Sequence, residues 1–141
     1  MTKQRLELEK NVLELHLPES AFVFKDIETS TPYVMFAANT NRGNVYTIRV
    51  ELKNFPEQIP EAYVTRMLYT KDGIPMDRPS SSMHTLESKN NWTRLCHYGY
   101  QSWHPNVALY KVYIKCRLWL EIYELHLVSG KNMDYYLNHQ Q

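Results

Sequence analysis

The sequence predicts an α+β domain of two layers, and three observations lead there. Strand-like segments cluster between residues 21 and 69, a long apolar-striped helix fills residues 107–128, and a shorter helical pattern opens the chain. At 141 residues the length suits a single domain spanning 1–141, with neither repeat nor linker to divide it. Hydrophobic residues make up 43% and charged residues 22%, the balance of a folded chain rather than a disordered one.

The first element covers Lys3 to His16, where Leu6, Leu8, Val12, Leu13 and Leu15 fit an amphipathic helix. The alternation Leu6-Glu7-Leu8-Glu9 also fits a strand, and Pro18 ends either form. Four strands follow at Ala21–Ile27, Tyr33–Ala38, Val45–Leu52 and Ala62–Tyr69. In the third, Tyr46, Ile48, Val50 and Leu52 alternate with Val45, Thr47, Arg49 and Glu51, as expected of a sheet with one dry face. Short connections rich in Gly, Asn and Pro favour an antiparallel meander.

Between Thr70 and Asn91 periodicity disappears, and Lys71 to Ser82 is turn chemistry with two prolines. A loop of this length inside a compact domain is often functional. It leads to Cys96. The major helix from Val107 to Val128 carries Leu109, Val112, Cys116, Trp119, Leu120, Tyr123 and Leu127 on one stripe. Ile114, Leu118, Ile122 and Leu125 widen that stripe and predict burial around much of its girth. Asn106 is the expected N-cap and Gly130 the expected left-handed stop.

Sixteen basic and 15 acidic residues leave a net charge of +1, which argues against nucleic acid or anionic membrane as a partner. No apolar run reaches spanning length, and the first residues alternate charge with leucine instead of forming a signal peptide. A cytoplasmic location is therefore expected. Two cysteines are too few for a disulfide framework, so each thiol is weighed alone. Cys116 lies on the helical core stripe and reads as packing. Cys96 lies outside any periodic element, beside His97 and near Gly99, and reads either as a small buried hydrophobe or as a nucleophile. No phosphate-cradling glycine loop is present, so no cofactor is expected. A zinc site built from Cys96, His97 and His104 lacks the spacing of structural sites.

One resemblance joins these pieces. Tyr46 to Val64, with its Phe55-Pro56 turn and Pro60 before the next strand, resembles the third and fourth strands of ubiquitin-conjugating enzymes. Leu95-Cys96, then Trp103-His104-Pro105, then a helix, resembles that family's cysteine, Trp-x-Pro and helix. The resemblance covers roughly residues 45 to 130, and Trp119-Leu120-Glu121 with Gly130 is closer to divergent bacterial members. It implies a UBC-like fold and a thioester on Cys96. The cargo would be the reactive C-terminus of a partner protein, such as a cyclic-oligonucleotide synthase or a ubiquitin-like protein. A separate activating enzyme would load it, docking at the first helix and nearby loops, and an amine would receive it, in the setting of antiphage defence.

The family's His-Pro-Asn, however, is missing upstream of the cysteine. His104-Pro105-Asn106 lies downstream, where it reads as the helix entry. The nearest upstream counterparts are His84, as a brace for the approach to Cys96, and Asn90 or Asn91 as amide donors to an oxyanion, with Asn91 taken as the site candidate. Lys89-Asn90-Asn91 is equally what an ordinary turn looks like. Two other readings stand beside the transferase: a binding module of the same fold without catalysis, and a cysteine hydrolase using His84, for which no third member is evident. Trp103 and Trp119 read as core anchors, and Trp92 as open to partner contact.

Overall fold

The computed structural model describes residues 1–138. Its first helix, α1 (Lys3–His16), settles the ambiguity at Leu6-Glu7-Leu8-Glu9. Thr2 caps it by accepting the Arg5 amide at 3.0 Å. Glu9 and Leu13 are buried while Leu8 and Leu15 are 56% and 81% exposed. Burial thus follows the four-residue repeat of a helix, not the alternation of a strand.

A short 3-10 turn (Glu19–Ala21) leads to β1 (Phe22–Lys25), β2 (Tyr33–Asn39), β3 (Val45–Glu51) and β4 (Ala62–Val64). They form the expected antiparallel meander, with Ile48 opposite Phe36 on one side and Val64 on the other. β4 is shorter than predicted, and beyond it Leu68 enters the core while Tyr69 pairs with Pro75 in an isolated bridge.

The predicted four-stranded sheet has six strands. β5 (Thr85–Lys89) and β6 (Trp92–Leu95) occupy the end of the presumed loop and its continuation to the cysteine, giving the order β1-β2-β3-β4-β6-β5. Their pattern was hidden because two of the inward positions are threonines, Thr85 and Thr93, both buried. Thr93 earns that place by donating to the Met67 sulfur and accepting the Leu68 amide at 2.9 Å. Asn90 and Asn91 both have positive φ (57° and 60°) and join the strands as a two-residue hairpin turn.

The inward faces of the strands and the helices share one core, which includes Leu13, Phe36, Ile48, Leu95, Val112 and Trp119. The major helix, α2 (Leu109–Ser129), ends as predicted at Gly130, whose φ is 77° and whose amide bonds the His126 carbonyl at 2.8 Å. Its start differs from expectation. The N-cap is Ala108, and the Leu109 amide is accepted by the carboxylate of buried Glu9 at 2.7 Å. Asn106 gives its own amide to His104 Nδ1 instead of capping. Burial is also narrower than expected: Ile122 is buried, but Ile114 and Leu118 are 39% and 37% exposed. A third helix, α3 (Met133–Asn138), anchors Met133 in the core. No helix among the described residues is long and apolar enough to cross a membrane.

Candidate functional site

Cys96 follows directly on the last residue of β6, where the sheet meets α2. Its amide is held by the His84 carbonyl at 2.9 Å, and the same oxygen accepts Trp119 Nε1 at 2.8 Å. His84 has the positive φ of 51° at the start of β5, a conformation that a non-glycine residue holds only when its surroundings fix it. Here both hydrogen bonds to its carbonyl supply that fixing. Its ring bonds Asp134 of α3 at 2.7 Å. His84 therefore braces the backbone before Cys96, while its imidazole is engaged by α3.

Cys96 opens into a groove of about 360 Å³, whose walls include His84, His97, Lys115, Leu118 and Trp119. Leu118 is also a wall of a wider depression of about 740 Å³ bounded by Arg42, Ile114, Arg117 and Leu125. The two hollows meet at that leucine. Trp103 supports the loop after Cys96 by donating to the Pro56 carbonyl at 3.0 Å and meeting Phe55 and Tyr98 edge-on.

Cys96 is partly exposed and Cys116 is fully buried. Burial raises the Cys96 thiol above its ordinary value, with nearby Arg94 opposing the shift. The thiol of Cys116 is pushed far higher by burial alone. Neither His84 nor His97 makes a hydrogen bond to Cys96 Sγ among the described residues.

His97 is the other unusual group. Its Nδ1 faces the Leu95 carbonyl at 3.4 Å, so that nitrogen carries the proton and Nε2 keeps the lone pair. Nε2 is buried and has no hydrogen-bond partner among the described residues. Burial lowers the pKa to about 4; the Leu95 bond opposes this, and the charges of Arg94 and Lys115 add to it. The imidazole is neutral at physiological pH.

Asn91 is not brought to this site. It sits at the hairpin tip, and the run of β6 to Cys96 spans about 16 Å at the usual rise per residue. Its positive φ explains an asparagine there, since that side chain tolerates the left-handed region. Trp119 is a buried anchor as expected, whereas Trp92 packs edge-on against Tyr63 on the opposite face of the sheet. A groove lysine and the carboxylate partner of His84 both escaped the sequence reading. Lys115 precedes Cys116 on α2 and lines the groove; its spacing of four from Trp119 was the available signal. Asp134 follows the helix stop, and nothing in the sequence ties it to His84.

No family model, curated protein or solved structure matches the chain. Among the described residues no cluster of three His, Cys, Asp or Glu side chains forms a metal site.

Proposed function

We propose that this chain is a ubiquitin-conjugating-like acyl carrier of the cytosol. In this reading Cys96 takes the C-terminus of a partner protein as a thioester and passes it to an amine. The observation that carries the proposal is the contrast between two thiols: Cys96 lines an open groove, and Cys116 is sealed. The UBC-like assignment draws support from element order: α1, a meander, a cysteine, a tryptophan-anchored loop and a long helix. The antiphage setting, and a cyclic-oligonucleotide synthase or ubiquitin-like protein as cargo, rest on the sequence resemblance alone.

The raised thiol suits carrying better than hydrolysis. A less acidic thiol is a poorer leaving group, so its ester persists until a good nucleophile arrives. A hydrolase needs a base that takes the thiol proton, and among the described residues no such hydrogen bond reaches Cys96 Sγ. The cost is slow loading, which an activated acyl donor offsets. The binding-module reading gains from Asn91, which sits at the hairpin tip and is not among the residues that line the groove.

A glycine-ended peptide benzyl thioester serves as probe. The carrier forms an adduct that survives denaturant, disappears with a reducing thiol, and discharges to free lysine faster than to water. Cys96→Ser converts it to a reductant-stable ester or abolishes it, and Cys116→Ala leaves it intact. No adduct supports the binding module; discharge to water at the same rate as to lysine supports the hydrolase.

A further inference from the structure

Lys115 and Cys96 stand on different elements yet line the same groove. Lys115 lies 5.4 Å from the ring centroid of Tyr98, which is two residues beyond the cysteine, so its ammonium is held over the segment that carries the thiol. His97 borders the same space with an unpartnered, buried Nε2 lone pair. A nucleophile and an amine therefore share one small hollow, beside an imidazole that stays neutral. Lys111, one turn earlier on the same helix, is exposed and stands outside it.

We infer that Lys115 is an intramolecular acceptor for the acyl group on Cys96, so that the chain modifies itself there. This rests on the carrier reading. The ammonium first loses a proton to water. The free amine then attacks the thioester carbonyl carbon, forming the C–N bond as the C–S bond breaks. The electron pair leaves on sulfur, which takes up a proton. The sum is one thioester and one ammonium giving one isopeptide, one thiol and one released proton. The product leaves peptide in the groove and blocks reloading of Cys96, which makes the modification self-limiting.

The test uses the full chain with the same peptide benzyl thioester, followed by reduction and peptide mapping. Holding amine and thioester in one hollow raises their effective concentration, so Lys115 should be acylated at least about tenfold faster than Lys111. Cys96→Ala should remove that excess. Lys115→Arg keeps the charge and should abolish the reductant-resistant product while the thioester on Cys96 still forms. A thioester on Cys96 with no excess at Lys115 overturns the inference and spares the carrier reading, as does an excess that survives Cys96→Ala. Failure of the thioester itself overturns both.

Discussion

His97 shows how one residue of the groove wall can tie the stability of the fold to pH. Its neutral form is set by burial, so protonation must be resisted by the native state. The folded pKa is about 4, below the ordinary 6.5. Protons therefore bind the unfolded chain first, and stability present above pH 6.5 is lost as pH falls toward 4. Between pH 7 and pH 5 the loss from this group is about 2 kcal/mol. Urea unfolding at the two values should show it, and His97→Leu should lose about 2 kcal/mol less over the same interval. Equal losses in both proteins would mean that the imidazole is solvated. The adjacency of His97 to Cys96 was legible in the sequence; its neutrality was not, because burial depends on what α2 and the loop place around it.

At the scale of elements, the β5–β6 hairpin decides which asparagine chemistry is open to the site. Asn90 and Asn91 occupy the two positive-φ positions of the turn, and glycine tolerates that conformation better than any other residue. Asn91→Gly should hold or raise stability, and Asn91→Val should cost about 1–2 kcal/mol. Both should leave the rate of Cys96 acylation unchanged. Transfer that falls with Asn91→Gly in a fully folded protein would return the side chain to an oxyanion role. The hairpin illustrates a limit of periodicity: Thr85 and Thr93 are core residues that read as polar, and the strands vanished into an apparent loop. Elements with plain signals fared better. The β1–β4 meander, the long helix and its stop at Gly130 were legible because apolar spacing and turn glycine act locally.

Over the whole molecule, α1 holds the segment that enters α2 by reaching across the chain. Arg5 bonds the carbonyls of Pro105 and Val107 at 2.7 and 2.9 Å and pairs with Glu9 at 2.7 Å. Glu9 in turn accepts the first amide of α2. This clasp closes the path from Cys96 through the Trp103 loop into the helix, replacing the local cap that Asn106 does not provide. Glu9→Ala leaves the Leu109 amide buried without an acceptor and Arg5 without its carboxylate partner, and should cost about 3 kcal/mol by denaturant unfolding. Glu9→Gln keeps an acceptor and should cost less. Indistinguishable losses would mean that charge alone matters there. Such a contact, 100 residues apart in the chain, leaves no trace in local sequence spacing.

All of this chemistry depends on a sulfur that an incoming chain end can touch in the native state. Alkylation of the folded protein with iodoacetamide, followed by mapping of both thiols, measures that contact. Cys96 should be labelled at least about tenfold faster than Cys116, which should react only on unfolding, because a sealed thiol is inert to reagents. Labelling of the two at a common rate set by global unfolding would contradict the account.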